Sequence, residues 1–257
     1  MFTAAGFKTT LEYIELFKQG LICTVSLSAL TVIFGFILAL ILAIMRLSSV
    51  CPFRFLALTS DGHLRDRGFL ATLSRFNPIS FVATVYVEVF RATPMLVQLF
   101  MVYYVVFGGV DLPSFKLFGS IRFDRFLPGV VALSLNSGAY LSEIIRSGIM
   151  SVDQGQFEAG RSLGLTYVQT MWYIIIPQAF KNVLPALGNE FITLLKETSI
   201  CGYIALTDVT HGANTVRSQT YEPYMPLFAA ALIYLVSVSV LSALISRLER
   251  RMRVNER

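Results

Sequence analysis

The sequence predicts an all-α integral membrane protein with about five transmembrane helices. Three observations carry this. Of 257 residues, 55% are hydrophobic and only 14% charged, where soluble domains carry about a quarter charged residues. Mean hydropathy is +0.65, and apolar runs are spread from end to end, so one membrane domain over 1–257 is expected. Two runs, 20–45 and 224–246, hold no charge, and each is long enough as a helix for a hydrocarbon core about 30 Å thick.

The first run is too long for a signal peptide's apolar region and lacks a small-x-small cleavage site, so it is expected as a retained span. The second span, about 82–107, contains Arg91-Ala92-Thr93-Pro94 followed by Gln98. A proline inside a span removes a backbone donor and frees a carbonyl, so a kink is expected there. The third, 126–146, carries Asn136 and Glu143. The fourth, 182–203, carries Glu190, Lys196 and Glu197, and the fifth is 224–246.

Orientation follows from the basic residues. Thirteen of the 21 Lys and Arg fall in loop 46–81, loop 146–181 and tail 247–257, against six on the opposite side. The basic side should be cytoplasmic, with the amino terminus outside. These cations flank spans, which argues against nucleic acid as the partner of the +5 net charge. Cys23, Cys51 and Cys201 are far apart and His63 and His211 isolated, so neither a disulfide framework nor a metal site is expected.

The spans hold four carboxylates, Glu88, Glu143, Glu190 and Glu197, against two cations, Arg91 and Lys196. An intramembrane charge must be paired or face water, and marks a functional site by default. Glu88 and Glu143 lie near helix ends, where an interfacial or capping role competes with function. Glu190 and Glu197 are two helical turns apart and share a face with Leu194. Asn136 falls at a similar depth. A polar pathway suited to an ammonium group is the favoured reading, with ion pairing to Lys196 or Arg91 as the alternative.

Loop 151–177 reads as two short helices. Asp153 is placed to cap the first, with Gln156 completing a capping box. Gly164 suits the left-handed position that ends it. A second segment, 166–176, should end at Pro177, and its Tyr167, Trp172 and Tyr173 fit an interface. Such a hairpin either lies on lipid headgroups or docks in a groove on a soluble partner.

Glu158-Ala159-Gly160, then Gly164, Ile174 and Ile176-Pro177, resembles the EAA loop of ATP-binding-cassette importer permeases, E-A-A-x3-G-x9-I-x-L-P, with Gly160 and Ile176 as conservative departures. Residues 90–98, 137–143, 177–179, 189–192 and 195–199 look like the polar amino-acid uptake subfamily. Residues 51–76 have no counterpart in that pattern and read as a basic cytoplasmic insertion. The resemblance implies a type I importer permease fold, paired with a second permease subunit, the same chain or a similar one. It implies two ATPase subunits that use ATP and Mg and receive the hairpins, and an extracytoplasmic amino-acid-binding protein. It assigns coupling to Glu158, Ala159, Gly160 and Gly164. It places Glu190, Leu194 and Glu197 on the substrate pathway, with Asn136 and Gln98 as further candidates.

No Gly-x4-Gly-Lys-Ser/Thr phosphate loop is present, so the chain itself is expected neither to bind ATP nor to act as an enzyme, and no cofactor is expected. Two rivals remain at this stage: an ion-coupled carrier or channel acting without an ATPase, and a membrane scaffold.

Overall fold

The computed structural model describes residues 4–48 and 76–254, with side chains from 6–48 and 76–251. Cys51, His63 and most of the expected insertion fall outside the described residues. Ten α-helices build the described chain: α1 (Ala4–Glu12), α2 (Ile14–Leu47), α3 (Pro78–Ala92), α4 (Met95–Phe100), α5 (Phe123–Met150), α6 (Gln154–Ser162), α7 (Tyr167–Thr170), α8 (Ile176–Glu197), α9 (Val209–Thr220) and α10 (Met225–Val254). A two-stranded hairpin, β1 (Lys116–Leu117) and β2 (Ile121–Arg122), precedes α5.

The five runs expected as spans fall on α2, the α3–α4 region, α5, α8 and α10, of which two single helices and one bent pair are long and apolar enough to cross a membrane. Only α2 and α10 are long and apolar enough to cross a membrane as single helices among the described residues. The α3–α4 region qualifies as a bent pair. The kink expected at Pro94 is a 109° break between Ala92 and Met95, much sharper than a bend within one helix. Helices α5 and α8 span 28 and 22 residues; their polar residues set them apart from the two apolar helices.

The frame is the pairing of α2 with α5. At about 1.5 Å per residue α2 is about 51 Å long. Its buried face runs Thr31, Gly35, Ala39 and Ala43, a small residue at every fourth position. Small side chains let helix backbones approach where hydrophobicity offers no driving force, because lipid tails are as apolar as leucine. The approach is close. A Cβ at Gly35 would lie 3.2 Å from Ser137 Oγ, and one at Gly138 would lie 2.8 Å from Leu38 Cδ2. Ala39, Ala43, Leu141, Ile145 and Val183 form the core at one end of this pair, while Cys23, Leu27, Phe126, Val130 and Cys201 fill the other.

The two ends of the loop between α2 and α3 meet. Asn77 Nδ2 donates to Ser48 O at 2.6 Å, and its Oδ1 accepts from Ser80 N at 3.0 Å, capping α3. The chain therefore leaves and rejoins the bundle at one point. An insertion between these residues costs the helix packing little, since loop-closure entropy grows slowly with length.

Helix α9 was not anticipated from the sequence. It is tied down by Asp208, a fully buried N-cap whose carboxylate accepts from Thr210 N and His211 N, both at 3.0 Å, and from the Tyr234 hydroxyl at 3.1 Å. Burial pushes this carboxyl above its ordinary range, and the hydrogen bonds pull it back. Asp208→Ala should lower stability by about 1–3 kcal/mol by orphaning two buried amides. Asp208→Asn, which keeps an acceptor, should cost clearly less. Thermal unfolding of the two variants in the same detergent checks this ordering.

Candidate functional site

The polar residues singled out in the spans divide into two groups. Gln98 and Asn136 are buried and bonded to each other, Asn136 Nδ2 donating to Gln98 Oε1 at 2.8 Å. Gln98 Nε2 also donates to Phe90 O at 2.7 Å, Thr93 O at 3.0 Å and Thr93 Oγ1 at 2.7 Å. Both amides are thus engaged at the break between α3 and α4.

Glu190 and Glu197 form the second group. They lie on α8 as the seven-residue spacing requires, and both are half-buried. Ser137 of α5 donates to Glu190 Oε1 at 3.5 Å, a long hydrogen bond. Neither carboxylate lies within ion-pair distance of Lys196 or Arg91, although the Lys196 ammonium acts on Glu197 through space. The ion pairs Lys18–Glu15, Arg46–Glu143, Arg122–Asp124 and Arg146–Glu143 include neither of the two. The Arg91 guanidinium instead lies 5.6 Å from the centre of the Tyr140 ring, and Lys196 is exposed. Leu194, between the two carboxylates, is 1% exposed and packs inward.

Glu143 takes the interfacial role. Its carboxylate is clamped between Arg46, at the end of α2, and Arg146, one turn along α5, whose Nη2 lies 2.5 Å from Oε1. This cluster joins α2 and α5 where the basic loops begin. Glu88 is exposed on α3.

The 151–177 segment is a helical corner. Asp153 caps α6 by accepting from Gly155 N at 2.7 Å. Gln156 does not complete a capping box there; its Oε1 lies 3.4 Å from Gln178 Nε2. The box forms instead at Thr166 and Gln169, which start α7, a Thr-x-x-Gln signature that was present in the sequence. Helix α6 ends as expected. Gly164 has φ +84°, Leu165 N bonds Gly160 O at 3.2 Å and Gly164 N bonds Arg161 O at 3.0 Å, the paired bonds of a Schellman motif.

The second arm does not end at Pro177. A π-helical segment, Met171–Ile175, joins α7 to α8, and Pro177 sits in the first turn of α8. Proline lacks the N–H an α-helical bond needs and crowds the carbonyl four residues back; a locally wider turn accommodates both. The arms pack through Gly160, where a Cβ would lie 2.7 Å from Thr170 Cγ2 and 2.9 Å from Ile174 Cδ1. Glu158 and Ala159 are exposed beside a cluster of uncovered apolar side chains, Leu163 (82%), Val168 (72%) and Trp172 (65%).

Gly164→Val should destabilise the corner by about 1–3 kcal/mol, since a β-branched residue is strained at positive φ. Faster hydrogen exchange over 154–170, with α2 and α5 unchanged, is the expected outcome.

The family model described as "Binding-protein-dependent transport system inner membrane component" matches residues 68–254. The chain is 37% identical over 250 residues to the arginine transport system permease protein ArtQ of Bacillus subtilis, covering 97% of this chain and 98% of that one. It is 36% identical over 234 residues to the L-cystine transport system permease protein TcyB of the same organism, covering 91% and 85%. A chain from the crystal structure of an amino acid ABC transporter with histidines superposes with a TM-score of 0.79 at 40% identity, covering 98% of this chain and 100% of that one. With the apolar helices and the charge-flanked corner, these similarities place the chain in the family of binding-protein-dependent transport system inner membrane components, as a multi-pass membrane subunit.

Proposed function

We propose that this chain is the permease of an ATP-driven amino-acid uptake system, forming the translocation pathway and coupling to ATPase subunits through the 151–177 corner. The observation that carries this reading is the direct run of the corner into the pathway helix. The arm that packs on Gly160 leads through Met171–Ile175 into α8, which bears Glu190 and Glu197.

The basic side, with the corner and tail 247–257, is the cytoplasmic one, and the amino terminus lies outside. The exposed patch around Glu158, Ala159 and Leu163 seats in a cleft of an ATP-binding-cassette subunit, which supplies ATP and Mg chemistry. The exposed faces of α3 and α8 meet a second permease subunit, and an extracytoplasmic binding protein delivers the amino acid. Glu190 and Glu197, unpaired among the described residues, receive its ammonium group, while Leu194 sets the packing behind them. Relatives named for arginine and cystine transport are consistent with an amino-acid substrate. Closure of the ATPases draws two corners together and shifts the spans between inward- and outward-open populations, a shift limited by the differential binding of the two states.

The test is uptake and ligand-stimulated ATP hydrolysis by the complex reconstituted in proteoliposomes and screened over amino acids. Glu190→Gln and Glu197→Gln should each raise KM about ten- to a hundredfold, as expected for a lost contact to a charged group worth about 1.5–3 kcal/mol. Unaltered KM in both would remove the carboxylates from the pathway. Stimulated uptake with no ATPase subunit present would overturn the coupling assignment.

A further inference from the structure

In an uninterrupted α-helix the carbonyl of Phe90 would accept from the N–H of residue 94, but residue 94 is proline and has none. The chain turns through 109° at this point. Unsatisfied backbone groups at membrane depth cost several kcal/mol each, and irregular backbone survives there only where protein or a watery cavity covers it. The structure supplies the missing donors from side chains. Thr93 Oγ1 donates to Val89 O at 2.8 Å. Gln98 Nε2 donates to Phe90 O and Thr93 O and to Thr93 Oγ1, and Asn136 Nδ2 holds Gln98 Oε1 in place while lying 3.5 Å from Phe90 O. The side-chain amide of Gln98 thus stands where a backbone N–H would be, and α5 fixes its orientation.

The segment this arrangement holds open, Arg91 to Pro94, is exposed. On the permease reading, this charged and irregular stretch faces the pathway or the second subunit in the assembled protein.

We propose that Gln98, oriented by Asn136, is a positioning residue that replaces the donor Pro94 removes and so fixes the α3–α4 break as a rigid part of the pathway wall. It does so without touching the transported molecule. This rests on the permease reading for its transport consequence but not for its structural one, and the two are tested separately.

The first measurement is a double-mutant cycle on thermal unfolding of the purified full chain with its partners. Gln98→Leu strands Thr93 O, leaves Phe90 O only the long contact from Asn136, and should lower the midpoint clearly. Pro94→Ala supplies a backbone N–H that reaches Phe90 O once α3 continues helically through Thr93, so in that background Gln98→Leu should cost less than half as much. The two changes are non-additive because they act on one carbonyl. Equal costs in both backgrounds would overturn the proposal.

The second measurement is uptake by the reconstituted complex. Gln98→Leu should lower turnover about tenfold for every amino acid carried, with KM kept within about twofold, the pattern of a lost shape rather than a lost contact. A KM change selective for one amino acid would make Gln98 a substrate ligand and refute the positioning role. Should the leucine variant fail to assemble, Gln98→Glu keeps the volume, and its ionised carboxylate cannot donate to either carbonyl. It should show the same two patterns, and wild-type behaviour would count against the proposal. If the unaltered complex shows no ATP-dependent uptake, the function is wrong, while the thermal cycle still decides the clamp.

Discussion

The close approach of α2 and α5 is the constraint on which the rest of the molecule depends. Thr31, Gly35, Ala39 and Ala43 make a smooth stripe on α2, and Ser134, Ser137, Gly138 and Ser142 are buried along α5. In lipid such contact is stabilised by dispersion and by small polar groups rather than by release of water. The stripe's consequence is registry. Once Gly35 faces Ser137 and Gly138, three groups on α5 are fixed in depth. Asn136 reaches the broken helix, Ser137 reaches Glu190, and Glu143 reaches Arg46. A residue larger than alanine in the middle of the stripe would move all three together.

The long elements were legible in the sequence because they rest on local signals. Uncharged runs at 20–45 and 224–246 became α2 and α10, and Gly164 ended α6 where a left-handed residue was expected. The positions of Glu190 and Glu197 on one helix followed from spacing alone. What was not legible depends on contacts distant in sequence. Pro94 announced a bend, but the side chains that close over its carbonyls are Gln98 and Asn136, the latter 38 residues further along the chain. Asp153 and Gln156 carried a capping-box pattern, yet Gln156 turned to Gln178. Pro177 marked a helix end by local rules, but a π-helical segment let the chain carry on into α8. Asp208 gave no signal at all, since a lone Asp before a short polar helix is common; its burial against Tyr234 is a tertiary fact.

The carboxylates of α8 differ in kind from that of Glu143. Glu143 is neutralised within the chain by two arginines, and its effect is to join helices. Glu190 has a long hydroxyl contact and Glu197 no ion pair among the described residues. A membrane interior does not keep two such groups on one helix face unless water or a cation compensates them. Neither carboxylate has an ion-pair partner at contact distance among the described residues, although the Lys196 ammonium acts on Glu197 through space.

Helical segments run without a loop between the second arm of the corner and these carboxylates. From Ile176 to Glu190 is about 21 Å of helix at 1.5 Å per residue, and α7 and the π-helical segment lead into it. At the far end of the corner, Gly160 lets α6 pack directly against Thr170 and Ile174. On the proposed reading, a push on the exposed face of α6 would reach α8 through this packing. The compliant point lies elsewhere. Gly164 carries its left-handed turn with open space around the position a Cβ would take; its role is to set the angle between the arms, and Gly160 is what makes them rigid. Coupling strength should therefore track the packing at residue 160 more closely than the chemistry of Glu158, because a lever transmits through its stiffest joint.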